Sequence, residues 1–308
     1  MVSIVTKNIN GKDYLYLVES IREENKVVQK TIKYIGPKRP ILNEEFECMK
    51  LSHENKDWIL TDFKEELSYV EHKKMKDASD AYKKHLESLD EFSKEKEKQR
   101  FLSNFIANSN SIEGSTLSVK DTHNFLFEEV VPKGHSKKEI FMAINLLDAW
   151  NYLENHFSAL PTKEDLFEMH KRVNKNIESE ETLGSYKKVQ NYIGDVYTAS
   201  YLFVEEKIEK LLVWMKSAFR NVDDFEVAFQ SHAQFEIIHP FVDGNGRVGR
   251  FLINWLLLNK GLMPLAINNK RRSEYISALD HSRKGKVEAI VKFCFKEYLE
   301  NYKFVETD

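Results

Sequence analysis

The chain has 308 residues, with 46 lysines and arginines against 49 aspartates and glutamates and a net charge of −3. That length suffices for one large domain plus an extension, burying roughly three quarters of the unfolded surface, while the balanced charge gives no electrostatic case for sequence-independent nucleic-acid binding or an anionic membrane. Cys48 and Cys294 supply neither a metal spacing nor a disulfide framework, and no apolar run nears the roughly 20 residues of a spanning helix or forms an export signal, so a reducing, cytoplasmic setting without membrane contact is expected.

Residues 1–40 read differently from the rest. Tyr14, Tyr16 and Val18 alternate after Asn10-Gly11, and a second β-prone run covers residues 27–35 after Glu24-Asn25, which predicts a three-stranded meander broken by Gly36 and Pro37. Binding of a partner, of nucleic acid or of another copy of the chain is open to it, and bracing of the domain is expected first. Residues 41–99 are rich in Lys and Glu with scattered Trp58, Leu60, Phe63, Leu67, Leu86, Leu89 and Phe92, a pattern of amphipathic connecting helices. From residue 100 onward the chain predicts a mainly α-helical domain to residue 308. Its first helix, about residues 100–114, ends at Gly114, with Ser109 and Glu113 on one face at i,i+4. A carboxylate in a last turn opposes the helix dipole by about 0.3–1 kcal/mol when exposed. Glu113 therefore reads either as a solvated helix end or as the mate of a distant cation.

Helical spacing continues over residues 119–155, where Ala143, Leu146, Leu147, Trp150 and Leu153 mark a packed face, then from residue 162, over 205–219 and over 224–238. Between them, Val189, Tyr192, Ile193, Val196, Tyr197 and Tyr201 surround Gly194-Asp195, which reads as a two-residue hairpin turn. Next comes His239-Pro-Phe-Val-Asp-Gly-Asn-Gly-Arg-Val-Gly-Arg250. A residue before proline is pushed out of the α region, so His239 should close the preceding helix. Gly244 and Gly246 permit a tight turn of inward-pointing amides before the apolar run 251–258 starts a buried helix. Such a nest at a helix N-terminus binds anions, and Arg247 and Arg250, three apart, would grip the same di- or triphosphate. Asp243 is a hard oxygen ligand for Mg2+, which usually binds through one or two carboxylates plus substrate phosphates. His239 can take a proton from an attacking hydroxyl. Taken singly, each of these residues could equally cap a helix in a polar loop.

Together, these residues resemble the signature of the Fic family, HxFx(D/E)GNGRxxR, without departure at any catalytic position. The resemblance covers about residues 100–305 and implies a Fic-type helical domain with a β-hairpin flap that transfers AMP from Mg-ATP to a Ser, Thr or Tyr hydroxyl of a protein, itself included, releasing pyrophosphate. His239 matches the general base, Phe241 the anchor of the loop, and Asp243 the magnesium ligand. Gly244, Asn245 and Gly246 match the anion-binding turn, and Arg247 and Arg250 the phosphate grips. Death-on-curing relatives, which transfer phosphate, carry Ala and Lys where Gly244 and Gly246 stand. Ser109-Asn-Ser-Ile-Glu113-Gly114 resembles the family's inhibitory motif, (S/T)xxxE(G/N), placed before the catalytic core in the same chain, and implies that Glu113 pairs with Arg250. The hairpin resembles the flap that aligns an extended target, with Ile193, Gly194 and Val196 as its target-binding residues. Arg272-x-x-Tyr275 resembles a pattern in which Tyr275 walls the adenine, although its spacing is that of core. Homodimerisation is expected at family level only. Removal of AMP, transfer of UMP or phosphocholine, and a catalytically quiet ATP-binding regulator remain open alternatives.

Overall fold

Asn10 and Gly11 both adopt positive φ, 52° and 78°, the left-handed pair that suits a two-residue hairpin turn. They join β1 (Val2–Ile9) to β2 (Lys12–Glu23), and β3 (Lys26–Pro37) completes an antiparallel sheet in the order β1-β2-β3. The expected meander is present. Alternation sends Leu15 and Leu17 to one side, where they meet Ile35, Met49 of α1 (Asn43–His53) and Phe203 in a small separate core. On the β2–β3 boundary Tyr16 stacks obliquely on Tyr34, with 5.2 Å between ring centroids.

The computed structural model describes residues 1–23, 26–54, 62–193 and 196–303. The anticipated Glu24-Asn25 turn, Trp58, Leu60, and the hairpin tip Gly194-Asp195 lie outside them, as do the side chains of Val196 and Tyr197. Among the described residues, no helix is long and apolar enough to cross a membrane.

Residues 62–68 lead into α2 (Tyr69–Ser88), opened by a capping box between Ser68 and Glu71. This connector is clipped to the helical body by Glu226, whose buried carboxylate accepts the backbone N–H groups of Glu66 (2.8 Å) and Leu67 (2.7 Å). Helix α3 (Glu91–Ile112) starts from the Asp90 cap, so the boundary expected at residue 100 falls inside one continuous helix. The Lys- and Glu-rich first half of α3 masks the apolar face that Phe101, Leu102, Phe105 and Ile106 complete.

The run expected over residues 119–155 is two helices, α4 (Val119–Phe127) and α5 (Lys137–His156), separated where Glu129 takes a φ of 56°. Ser136 and Glu139 form the capping box that restarts the chain. Helix α6 (Lys163–Asn174) follows, then β4 (Tyr192–Ile193) paired antiparallel with β5 (Val196–Tyr197), then α7 (Val204–Ala218), α8 (Asp224–Ile238), α9 (Asn245–Asn259), α10 (Arg272–Ser282) and α11 (Glu288–Asn301). Every residue of α8 from Phe225 to Ile238 is buried. A helix buried on every side lies at the centre of its bundle; this one takes polar side chains such as Glu226, His232 and Glu236 inside with it and carries His239 at its end. Around it, Phe105, Trp150 and Phe251 meet in edge-on and tilted contacts at 5.1 to 6.2 Å.

Candidate active site

His239 caps α8 in the left-handed region (φ 49°, ψ 63°), its N–H still bonded to Phe235 O at 2.8 Å. For a residue with a Cβ, that conformation costs roughly 1–2 kcal/mol. It persists because the loop beyond it is pinned residue by residue. Phe241 is fully buried and lies flat on His170, with centroids 4.0 Å apart and planes at 19°. The Asn245 side chain accepts from Phe241 N–H and donates to Phe241 O, both at 2.9 Å, while Asn191 donates to the same carbonyl at 2.9 Å. His170 Nδ1 accepts the Gly184 N–H at 3.0 Å, which assigns the proton to Nε2, the donor to Asp243 O at 3.1 Å.

The loop ends at Gly244 (φ 75°), the cap of α9, which has no side-chain hydrogen bond closing it. Helices α2 to α6 are each capped by a Ser, Thr or Asp side chain. Helices α1, α7, α10 and α11 share the lack of a side-chain cap, and at the head of α9 it leaves the first amides free to meet an acceptor from outside the helix. Glycine is required at this bend because a Cβ on residue 244 would lie 2.3 Å from Asn174 Nδ2. Asn174 in turn accepts from Arg247 Nη2 at 2.8 Å and donates to Asp243 O at 3.3 Å.

Arg250 is buried and fully engaged. Its Nε donates to Ser109 Oγ at 2.8 Å, and its Nη2 donates to Ser109 O at 2.9 Å and to Glu113 Oε1 at 2.7 Å. The Ser109-x-x-x-Glu113 pair therefore converges on the second arginine of the loop, 137 residues away. Glu113 is the C-cap of α3, Gly114 turns the chain with a φ of 97°, and Arg272 Nε donates to Ile112 O at 2.7 Å. The same Glu113 Oε1 reaches the head of α9: a Cβ on residue 246 would stand 2.5 Å from it. One carboxylate oxygen thus meets the arginine and abuts Gly246 in the first turn of α9.

Burial, helped by the charges of Lys187 and Arg283, holds the His239 pKa well below its usual 6.5. The ring is neutral at physiological pH, and its Nδ1 has no hydrogen-bond partner among the described residues. Glu236 Oε2, one turn earlier, lies 3.8 Å from that nitrogen and 3.3 Å from Arg283 Nη2. Burial opposes the charge on Arg250, but Tyr275 and Glu113 outweigh it and push its pKa up. Burial lowers that of Arg247.

Asp243 differs from its neighbours in being 61% exposed, with Oδ1 accepting the Gly244 N–H at 2.7 Å and Oδ2 3.7 Å from Arg247. No group of three His, Cys, Asp or Glu side chains converges as a metal cage among the described residues. A single open carboxylate beside two arginines fits an Mg2+ ion that arrives on phosphates.

Tyr275, which the resemblance gives as a wall for adenine, lies in the core. It is 1% exposed, its hydroxyl lies 2.7 Å from His232 Nε2 and 3.5 Å from Arg250 Nη1, and Arg250 sits over its ring at 5.9 Å. In this conformation it buttresses the arginine from within the core, as its helical spacing suggested. The hairpin pairs Ile193 with Val196 and Tyr192 with Tyr197 in the expected two-residue register. Several contributors escaped the sequence reading: His170, Asn174, Lys187, Asn191, Glu236 and Arg283. Only Glu236 carried a signal, its position three residues before His239 on the same helix. The others lie outside the signature, His170 and Asn174 on α6, Lys187 and Asn191 before β4, and Arg283 after α10, with nothing in the sequence to link them to it.

Residues 160–257 match the Fic/DOC family. Protein adenylyltransferase fic-1 of Caenorhabditis elegans is 29% identical over 200 residues, 62% of this chain and 39% of the relative. The chain thus spans under half the length of the curated relatives it matches. Among solved structures, Fic-1 from C. elegans superposes with a TM-score of 0.66 at 23% identity, covering 76% of this chain and 71% of that one. A Fic-domain signalling protein from Bacteroides thetaiotaomicron superposes equally well, with a TM-score of 0.66 at 20% identity over 75% of this chain and 95% of that one. Both likenesses are of fold.

Proposed function

The chain carries a Fic domain, and on that premise we propose that it is an autoinhibited protein adenylyltransferase that moves AMP from Mg-ATP to a protein hydroxyl. The observation that carries this reading is the position of Glu113: an acidic oxygen 2.7 Å from Arg250, pressed on the head of α9 where a phosphate oxygen would sit.

In this reading Arg247, Arg250 and the α9 amides hold the outer phosphates and leave the α-phosphorus facing His239. As the target hydroxyl oxygen bonds to that phosphorus, the neutral His239 ring takes its proton, and the bond to the β-phosphate breaks with its electron pair leaving on pyrophosphate. Magnesium held through Asp243 supplies neutralisation of phosphate charge. Ile193 and its neighbours on the hairpin offer an edge to which an extended target segment adds as a strand. While Glu113 engages Arg250, the γ-phosphate lacks its grip and the α-phosphate is misaligned, so the resting chain turns over little.

Radiolabelled ATP tests this directly. Label from the α-position retained on protein, strongly increased in Glu113→Gly and lost on adding His239→Ala, is the expected result; retained γ-label identifies a kinase instead. A second reading rests on the 36% exposure of the Glu113 side chain, which leaves it able to orient a water for removing AMP. Release of AMP from a pre-modified target, abolished by Glu113→Gly, would select it.

A further inference from the structure

We propose that Lys187 is a positioning residue that ties the strained backbone of His239 to the stem of the β4–β5 hairpin, so that the base and the target-aligning flap are set by one hydrogen-bonded unit. The inference rests on His239 being the base and names a residue that the loop signature does not contain.

A helix leaves its last carbonyls without intrahelical partners. At the end of α8, these acceptors are met by the hairpin stem. Ala199 N–H donates to Ile237 O at 3.2 Å, Lys187 Nζ to Ile238 O at 3.4 Å, Lys187 N–H to Pro240 O at 2.9 Å, and Asn191 Nδ2 to Phe241 O at 2.9 Å. Lys187 alone supplies donors to both carbonyls flanking His239, one from its side chain and one from its backbone. That bracket opposes relaxation of the left-handed φ at His239, since either carbonyl would have to turn away from it.

The other two donors of the ammonium go to the two ends of the hairpin. Nζ lies 2.6 Å from Asn191 Oδ1, immediately before β4, and 2.9 Å from Thr198 Oγ1, immediately after β5. Asn191 and Thr198 are themselves joined at 2.9 Å. Three acceptors around one tetrahedral ammonium use every donor a lysine has. The side chain is 2% exposed, so no water substitutes for it easily, and a buried ammonium without such partners would be costly. Burial drives its pKa down to about 7. The charged groups facing His239 are Lys187 from the stem, Glu236 from α8 and Arg283 beyond α10. Cys48 of α1, near Lys187, has a thiol pushed up to about 12 by burial and stays neutral.

The test uses the full chain carrying Glu113→Gly. Lys187→Met is expected to lower kcat for AMP transfer by at least about tenfold, the scale on which small misplacements act, with the KM for ATP changed less than twofold because Arg247 and Arg250 are untouched. Removing a positive charge beside His239 also raises its pKa, and a base works above its pKa, so the acid limb of the pH profile moves to higher pH. Loss of packing alone would leave that limb where it was. A kcat within twofold of the parent and an unmoved limb overturn the proposal. So does a joint collapse of kcat and ATP affinity without a limb shift. Should Lys187→Met not fold, Thr198→Val decides: it removes the ammonium's acceptor after β5 and unties Thr198 from Asn191, leaving only Asn191 on the hairpin side, and a lowered kcat at constant ATP KM supports the coupling while an unchanged kcat overturns it. Retention of transfer by His239→Ala would instead sink the assignment of the base, independently of either variant.

Discussion

Two buried arginines flank the His239 loop, and each holds a glutamate in a different way. Arg283 and Glu236, 3.3 Å apart, expose 3% and 5% of their side chains, and Glu236 belongs to the same helix that delivers His239. Arg250 is equally buried, but its partner Glu113 comes from the end of a helix 137 residues earlier and keeps 36% of its side chain in water. A carboxylate fully withdrawn from solvent has nowhere to go without stranding a buried guanidinium. One that is partly hydrated at a helix end, where the dipole disfavours it, exchanges one set of partners for another at modest cost. The first pair suits permanent architecture and the second suits a latch, provided a ligand can satisfy Arg250 in its place.

Substitutions separate the two. Glu236→Ala leaves Arg283 with Asp280 as its remaining acidic partner and is expected to destabilise the fold by about 3–5 kcal/mol, the usual result of breaking a buried pair, visible as a large fall in Tm. Glu113→Gly is expected to raise AMP transfer about a hundredfold, equivalent to roughly 2.7 kcal/mol of barrier, while chemical denaturation shifts by less than about 1 kcal/mol. A large Tm loss in Glu113→Gly would erase the distinction drawn here.

Gly246→Ala sharpens the claim that Glu113 and phosphate compete for one place. The added methyl would stand 2.5 Å from Glu113 Oε1, so it displaces the latch and fills the nest together. Transfer should therefore stay low, and Mg-ATP affinity measured by calorimetry should fall about tenfold in a Glu113→Gly background, roughly 1.4 kcal/mol. Activation by Gly246→Ala alone would show that the two occupy different places.

The smallest expected effect is on pH. Because burial sets the His239 pKa well below 6.5, protonation of that ring should slow transfer by Glu113→Gly only below about pH 6.5, whereas any change near pH 7 belongs to Lys187 and Glu236, which burial brings to about 7. The stability contribution has a matching sign: below pH 6.5 the unfolded chain binds the proton that folded His239 refuses, so stability falls as pH drops. A His239 imidazole seen by NMR to titrate near pH 7 would contradict a buried, neutral ring.

Much of this was legible because the chemistry is concentrated in one segment. From His239 to Arg250, proline, glycines and charges specify a helix stop, a bend and an anion nest locally, and the structure has α8 ending at His239 as expected, while α9 begins at Asn245, ahead of the apolar run that announced it. The Asn10-Gly11 turn and the two-residue hairpin register were legible for the same reason, since turn geometry is a property of neighbouring residues. Less was readable where charge hid a buried stripe, as in the first half of α3, or where a local break such as Glu129 split an apparently continuous helix.

By itself, then, the order of residues determined the bend, its inventory of base, carboxylate and arginines, and the helical periods on either side. Tertiary structure alone decided that Lys187, Asn191 and Asn174 hold the loop, and it chose between the two readings that the residues left open for Glu113, a solvated helix end or the mate of a distant cation. The reason is physical: a turn follows from the φ and ψ preferences of adjacent residues, whereas the partner of a buried polar group is fixed only when distant segments pack and every donor and acceptor must be matched at once.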